Sequence, residues 1–222
     1  MPAQQLVGAV APVKSPYVAP PATSVPEVID RLEEIEAYAE ANEVRGQHDG
    51  VACFAFLYHT ITLRVWEGIA SGRFSDPQFI ASLDVIFANR FLAALRAGAL
   101  APGAVPHAWA VLLDRRSDPH ITQLQFAACG VNAHVNFDLP IAVADACTAL
   151  ASAPDTGAKH ESYQEINRIF AEEMEALRQH FEATWQRLVD RGALARVLDK
   201  INDWTVIADR DAAWESAEHL WA

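Results

Sequence analysis

The strongest constraint on the fold is one long segment, SDPQFIASLDVIFANRFLAALRAG, at residues 75–98. Its apolar residues recur at the spacing of a helix, and the segment is longer than a typical β-strand. Asp76 followed by Pro77 is typical of a helix N-terminus, and Gly98 is typical of a C-terminus. The segment therefore predicts a long helix that begins after Asp76 and ends at Gly98.

The rest of the chain shows helical patterns and neither an internal repeat nor a convincing hairpin signal. SVPE at residues 24–27 matches a capping box and predicts a helix that runs to about Asn42. Residues 51–63 are apolar on nearly every face, which favours a central helix. Further helices are predicted near residues 107–113, from about Pro119, over residues 162–189 and close to the C-terminus. The predicted fold class is all-α, an irregular multi-helix bundle of about seven or eight helices.

The chain divides into an N-terminal arm at residues 1–24 and an all-α domain at residues 25–222. The arm is rich in Pro, Ala and Val without periodicity, which predicts an extended segment that is either disordered or laid along the domain. With 222 residues, 51% of them hydrophobic, the chain can bury the core of a single domain.

The charge of the chain argues against two classes of partner. There are 17 Lys and Arg against 29 Asp and Glu, which gives a formal net charge of -12 at pH 7. Such a charge repels phosphate backbones and anionic lipid surfaces, so we expect neither a nucleic-acid partner nor a membrane partner. No run of about eighteen apolar residues is found that could span a bilayer. The expected partner is a small-molecule ligand, and formation of a homo-oligomer stays open.

The cysteines and the N-terminus bear on localisation. Cys53, Cys129 and Cys147 lie in apolar segments and lack the spacing of a metal motif. Their odd number and surroundings predict small buried side chains in a reducing compartment. The N-terminal residues also lack the basic segment and long apolar core of an export signal. Together these features predict a cytoplasmic protein.

The segment GVNAHVNFDLP at residues 130–140 places four strongly polar side chains in an apolar setting. On a helix, His134 and Asp138 lie one turn apart on one face, and Asn132 and Asn136 lie one turn apart on another. Buried polar groups without partners are costly, so these residues persist only where other polar groups, water, an ion or a substrate satisfies them. The segment therefore predicts a site.

Two residues shape the backbone of this segment. Gly130 has no side chain, so a neighbouring helix or a ligand can approach it closely. Pro140 lacks a backbone donor and its ring clashes with the preceding turn, so we expect it to kink or restart the helix.

Two other predicted helices carry polar residues within apolar stripes. His59 shares a stripe with Trp66, and Asp84 interrupts a stripe that contains Phe87 and Phe91. Polar groups that face inward from several helices of a bundle tend to converge. We therefore predict one buried polar cluster, enclosed by aromatic side chains, to which three helices contribute.

This cluster predicts three sets of site residues. The predicted catalytic residues are His134, Asp138, His59 and Asn132. The predicted substrate contacts are Trp66, Asp84, Phe87, Arg90, Phe91, Asn136 and Phe137. Imidazole and carboxylate groups are ligands of zinc-like divalent metals, so the predicted metal ligands are His59, Asp84, His134 and Asp138. In a second interpretation, Arg64 and Arg90 lie at the bundle edge and pair with carboxylates such as Glu67.

Three interpretations of the cluster stay open: a metal site, a metal-free reactive pocket, and a polar network that only orients the helices. In the first two, the protein is an enzyme that acts on a small, largely apolar metabolite as a hydrolase, lyase or cyclase. In the third, it is a non-catalytic binding or scaffold protein. Tyr58, next to His59, is interpreted as a core tyrosine with a satisfied hydroxyl rather than as a general acid. GxSxG, P-loop, GxGxxG and paired CxxC motifs are absent from the sequence.

Four segments carry a resemblance to a known family: GIASGRFSDPQFIASLDVIFANRFLAAL, LQFAACGVNAHVNFDLPIAV, YQEINRIF and DWTVIADRDAAWESAEHLW. They resemble the bacterial domain-of-unknown-function family numbered 5995 over most of the chain after the N-terminal arm. The core G-x-N-A-H-x-N-x-D-L is the most specific part of the resemblance. It implies a helical fold and a site at this segment, without a settled activity.

Overall fold

The computed structural model describes residues 15–43, 48–185 and 206–221. These residues form helices and no β-strand, which confirms the predicted all-α fold. A π-helical turn at His134–Asp138 and short 3-10 turns at Pro16–Val18 and Pro102–Ala104 complete the order of elements. The helices are α1 (Val25–Ala41), α2 (Gly50–Ala70), α3 (Pro77–Leu100), α4 (His107–Arg115), α5 (Gln123–Ala133), α6 (Leu139–Ala149), α7 (Lys159–Trp185) and α8 (Val206–Trp221).

Side-chain caps determine where several helices begin. Backbone N–H groups in the first turns of α1, α2, α3 and α5 donate hydrogen bonds to the side chains of Ser24, Asp49, Asp76 and Thr122. Thr122 and Gln125 form a complete capping box, so α5 begins at Gln123 and not near Pro119 as predicted. Such caps satisfy N–H groups that have no partner inside the helix.

The C-terminus of α3 differs from the prediction. The helix continues through Gly98 and ends at Leu100, two residues before Pro102. A proline disfavours helical backbone at the residue before it, which explains why the helix ends at this point. Gly98 instead allows close packing, because a Cβ added there would lie 3.2 Å from Leu113 Cδ1 on α4.

The C-terminal part of the chain follows the prediction within the described residues. The amphipathic helix predicted over residues 162–189 is α7, which begins earlier, at Lys159. Residues 186–189 of that prediction lie outside the described residues. A shorter helix near the C-terminus was also predicted and is α8.

α2 lies at the centre of the bundle, as its apolar sequence predicts. Helices α1, α3, α4, α5 and α7 pack against it, and α6 contacts both α3 and α8. Each of the helices α1–α8 contributes buried side chains to a common hydrophobic core. Cys53 and Cys147 are buried in this core and Cys129 is half-buried, all as free cysteines.

The described part of the N-terminal arm, residues 15–24, lies along the helices. The ring of Tyr17 is buried and packs edge-on against Tyr38 at 5.2 Å between centroids. The backbone N–H and C=O of Ala22 hydrogen-bond the side chain of Asn89 on α3 at 2.8 and 2.9 Å. Residues 15–24 are thus laid along the domain, which is one of the two predicted alternatives. Residues 1–14 lie outside the described residues.

One helix within the described residues, α3, is long and apolar enough to cross a membrane by length and composition alone. This criterion is an average over a window and differs from the uninterrupted apolar run considered in the sequence, which α3 lacks because Asp84 and Arg90 interrupt it. The mean hydropathy of its 18-residue window is 1.4, and 44% of that window is buried inside the bundle. Because the core helix of a soluble protein meets the same criterion, the feature is weak evidence for a membrane span.

Candidate functional site

A cavity of about 50 Å³ lies among α2, α3, α5, α6, α7, α8 and the π-helical turn. Its wall is mostly apolar, and its polar members are Tyr58, Thr62, Asp84, His134 and Arg210. The exposed fractions of these five residues range from 1% to 8%. A cavity of this volume can hold water molecules or a small ligand.

Polar atoms without partners are concentrated in this cavity. Four of the six buried side-chain atoms that lack a hydrogen-bond partner among the described residues belong to its wall: the Tyr58 hydroxyl, Thr62 Oγ1, Asp84 Oδ2 and His134 Nε2. The Tyr58 and Thr62 hydroxyls adjoin each other, but not in the geometry of a hydrogen bond. Since buried polar groups are nearly always satisfied, this concentration makes the cavity the candidate functional site.

Asp138 organises the polar residues behind His134. Its Oδ2 accepts a hydrogen bond from Trp109 Nε1 at 2.8 Å, and its Oδ1 accepts one from Arg90 Nε at 3.1 Å. His134 Nδ1 lies 3.4 Å from Asp138 Oδ2, which is a longer contact. The carboxylate therefore joins α3, α4 and the π-helical turn, and it keeps two donors without His134.

These contacts determine the protonation of His134. An ionised carboxylate only accepts hydrogen bonds, so Nδ1 carries the ring proton toward Asp138 and Nε2 keeps a free lone pair. Burial lowers the pKa of the imidazole against the opposing effect of Asp138, and the charges of Arg90 and Arg210 also lower it. The ring stacks on Phe87, with centroids 3.4 Å apart and planes 6° apart. His134 is thus a neutral base at neutral pH and is held in one orientation.

At two other cavity residues, burial raises the pKa. Burial raises the pKa of the Asp84 carboxyl to about 7. Burial also raises the pKa of the Tyr58 hydroxyl, and the charges of Asp84 and Asp138 raise it further. The cavity therefore combines a proton acceptor, His134, with two groups whose raised pKa favours the protonated form, and general acid–base chemistry uses such a combination.

The π-helical turn brings His134 and Asp138 into this position. Pro140 has no backbone N–H, and the N–H of Leu139 donates to the carbonyl of His134 five residues earlier. The expected kink or restart at Pro140 is thus a π-helical turn followed by α6. Such turns are rare and occur frequently at functional sites.

Several predicted site residues lie at the cavity or border it. Asp84, Phe87 and His134 line it, and Asp138 lies directly behind His134. The ring of Phe91 is buried 6.4 Å from that of His134, measured between centroids, without lining the cavity. Arg90 pairs with a carboxylate, as in the second interpretation of the sequence, because it binds Asp138.

The other five predicted site residues do not line the cavity, and this part of the prediction is corrected. His59 Nδ1 lies 3.9 Å from Glu36 Oε2 on α1. Asn132 and Asn136 are exposed and hydrogen-bond each other at 3.0 Å. The side chains of Trp66 and Phe137 are 36% and 41% exposed.

The predicted set of metal ligands does not assemble. His59 lies beside Glu36, whereas Asp84 and His134 line the cavity and Asp138 borders it. Within residues 15–43, 48–185 and 206–221, no three His, Cys, Asp or Glu side chains are grouped so that they could hold a metal ion. The four-ligand site that includes His59 is therefore a wrong prediction.

Four residues of the site were not assigned to it from the sequence, namely Tyr58, Thr62, Trp109 and Arg210. Tyr58 was interpreted as a satisfied core tyrosine, but within the described residues its hydroxyl meets no partner in hydrogen-bond geometry. Trp109 lies in a short amphipathic helix without any sequence signal for its bond to Asp138. Arg210 lies between Asp209 and Asp211 in the sequence, a pattern typical of an exposed face, yet it is buried.

Comparison with known proteins gives one result. A family described as a family of unknown function (DUF5995) matches residues 25–222, which is most of the chain. No curated protein and no solved structure matches the chain significantly.

Proposed function

The chain belongs to the DUF5995 family, and from the geometry of the cavity we propose that it is an enzyme that transfers protons on a small, largely apolar molecule. The observation that supports this proposal is the unpartnered Nε2 of His134 in an apolar cavity. A neutral imidazole whose other nitrogen faces a carboxylate is the arrangement of a general base.

In the proposed reaction, His134 Nε2 removes a proton from the bound molecule. The imidazolium that forms is stabilised by Asp138, which Trp109 and Arg90 hold in place. Asp84 or Tyr58 donates a proton to a second atom of the molecule. His134 and the donor then regain their resting protonation states by proton exchange with solvent. Removal and return of a proton in an apolar cavity fits a lyase or cyclase better than a hydrolase, because hydrolysis consumes a water molecule.

The second candidate is a non-catalytic binding or scaffold protein. The contacts of Asp138 favour it, because one carboxylate links α3, α4 and the π-helical turn without any chemistry. Such buried networks also orient helices in proteins that are not enzymes. This candidate does not explain why four buried polar atoms of the cavity have no partner.

The variant His134→Gln tests the proposal. Asp138 keeps its bonds to Trp109 and Arg90, so we expect the variant to lose only about 1 kcal/mol of stability. Loss of a general base should reduce turnover by at least about a hundredfold. Purified wild type and variant are incubated with a small-molecule extract of bacterial cells, and mass spectrometry identifies the compounds that each consumes.

The matched control is His59→Gln, since His59 lies outside the cavity and is partly exposed. It should consume the same compound as the wild type. If the wild type consumes nothing, or if His134→Gln consumes as much as the wild type, the scaffold candidate replaces the enzyme.

A further inference from the structure

Arg210 is a buried arginine in the cavity wall, and its own contacts leave part of its guanidinium free. Nε donates to Asn167 Oδ1 at 2.5 Å, and Nη2 makes a long contact of 3.4 Å with the Tyr163 carbonyl. The guanidinium carbon lies 4.3 Å from the centroid of the Tyr163 ring. Arg210 is only 3% exposed. Its position is therefore fixed by α7, while Nη1 makes no hydrogen bond within the described residues.

The charge of Arg210 lacks the partner that a buried arginine normally has. Among the arginines whose side chains the structure describes, most others pair with carboxylates, as Arg90 does with Asp138 and Arg116 with Asp49. No carboxylate of the described residues lies within ion-pair distance of Arg210. The side chain of Asp211, next in sequence, accepts a hydrogen bond from Gln164 instead. Because a buried charge is costly unless it is paired, Arg210 predicts an anionic group in the cavity.

The other polar groups of the wall leave this charge uncompensated. Tyr58 and Thr62 are neutral hydroxyls on α2, and His134 is a neutral imidazole. Asp84 lies on α3 and forms no ion pair with Arg210 within the described residues. An arginine side chain stays protonated at any physiological pH. The wall can therefore bind one negative charge of a ligand at Arg210.

A second, apolar cavity of about 30 Å³ adjoins the first. Leu57, Val131 and Phe170 line both cavities, so these side chains form a shared wall. Val206, one turn before Arg210 on α8, also lines the second cavity, and none of the described residues in its wall has a polar side chain. The space next to the arginine therefore suits a hydrocarbon chain, which gains free energy when it leaves water.

We propose that the site binds a carboxylate with a hydrocarbon body, with the carboxylate at Arg210 and the hydrocarbon extending toward the second cavity. A carboxylate matches the planar guanidinium and needs only one arginine. The two cavities, of about 50 and 30 Å³, are smaller than the cavity of about 150 Å³ that benzene fills, so a longer hydrocarbon binds only if the shared side chains of Leu57, Val131 and Phe170 move. This proposal rests on the proposed function, because it names the substrate class of the same cavity.

Three probes of equal chain length test the charge requirement on the full wild-type chain: octanoate, 1-octanol and octylammonium. Calorimetry should show that octanoate binds with a dissociation constant at least about tenfold lower than that of 1-octanol. Octylammonium should bind most weakly, because it places a second positive charge beside Arg210. Absence of octanoate binding, or equal affinity for octanoate and 1-octanol, would overturn the proposal.

Two variants locate the charge. Arg210→Gln should raise the dissociation constant of octanoate to that of 1-octanol, whereas Arg210→Lys should keep a preference for octanoate because it keeps the charge. The control is Arg96→Gln, an exposed arginine that binds only the carbonyls of Val18 and Ala19. It should bind octanoate as the wild type does. If Arg210→Gln does not fold, Arg210→Lys and the three probes on wild type decide the outcome, and loss of the preference in Arg210→Lys would count against the proposal.

The two proposals fail in different ways. If octanoate does not bind but a neutral compound is consumed in a His134-dependent reaction, the carboxylate proposal is wrong and the enzyme stands. If octanoate binds through Arg210 and no compound of the extract is consumed, the proton-transfer function is wrong and the carboxylate site stands. His134→Gln should still bind octanoate, because it leaves Arg210 unchanged.

Discussion

Asp84 links the chemistry of the cavity to the stability of the fold. Burial raises the pKa of its carboxyl from 3.8 to about 7. The folded protein therefore binds this proton more tightly than the unfolded chain does. As pH rises from the unfolded pKa to the folded pKa, the unfolded chain releases the proton first, so the free energy of unfolding decreases. Above the pKa of Asp84 in the folded protein, the decrease in the free energy of unfolding is complete.

Asp84→Asn should remove this pH dependence, since an amide has a similar shape and does not titrate. The variant should be more stable than wild type at about pH 8, with a difference that grows between about pH 4 and 7 to at most about 4 kcal/mol. Urea unfolding at several pH values measures it. The control Asp30→Asn, at an exposed position on α1, should leave stability nearly unchanged. If the difference in stability between Asp84→Asn and the wild type stayed constant with pH, it would contradict the raised pKa of the buried Asp84 carboxyl.

Individual site residues could be predicted only where the sequence contrast was strong. His134, Asp138 and Asp84 were predicted because each is polar among apolar neighbours on its own helix. α2 has no such contrast, since it is buried on most sides, and its rotation could not be deduced. The prediction therefore chose His59, whereas Tyr58, one position earlier, lines the cavity.

At the level of elements, the contact of α2 with α5 determines the position of the cavity wall. Gly130 on α5 faces Phe54 on α2, and a Cβ added at Gly130 would lie 2.4 Å from two ring atoms of Phe54. Phe54 in turn contacts the rings of Phe91, Trp109 and His134 edge-on. The close approach predicted at Gly130 is therefore made by a helix.

Gly130→Ala should destabilise the protein by about 1 to 3 kcal/mol, because the methyl group overpacks the α2–α5 contact and displaces Phe54. Urea unfolding monitored by circular dichroism measures the loss. Gly103→Ala is the matched control, since an added Cβ there meets nothing within 4 Å. Equal stability of the two variants would show that α2 and α5 are further apart than this structure places them.

Elements were more predictable than their ends. The helical periods of α1, α3 and α7 are long and uninterrupted, and the apolar segment of α2 is too long for a typical strand, so the existence and type of these helices followed from the sequence. The π-helical turn did not, because the proline signal at Pro140 indicates a break without its geometry. The start of α5 was also missed, since the Thr122 cap competes with an earlier proline at Pro119.

On the scale of the whole molecule, the cavity forms from parts of the chain that are far apart in sequence. Its wall combines α2 and α3 with the π-helical turn, α7 and α8. A sequence pattern shows which face of one helix is apolar, but not how several helices close around a space. The fold class could therefore be predicted, whereas Arg210, which α8 brings to the cavity, could not.

Trp214 holds α8 to this assembly, which allows a test of the predicted single domain at residues 25–222. It is 3% exposed, and its ring centroid lies 4.8 Å from that of Tyr163 and 6.0 Å from that of Phe79. Trp214→Ala should cost about 3 to 5 kcal/mol, because it leaves a large cavity under α8. Leu220→Ala, at a 60% exposed position on the same helix, should change stability by less than about 0.5 kcal/mol.

The shape of the unfolding transition tests the prediction of a single domain. α8 contributes Arg210 and Val206 to the walls of two cavities that α2 also lines, so its loss should weaken the whole bundle at once. Urea unfolding of Trp214→Ala should then show one transition, with coincident midpoints by circular dichroism and by tryptophan fluorescence. Two separate transitions would mean that α8 unfolds independently of the bundle, and the single domain would be wrong. A single transition at the wild-type midpoint would instead show that Trp214 does not hold α8 in place.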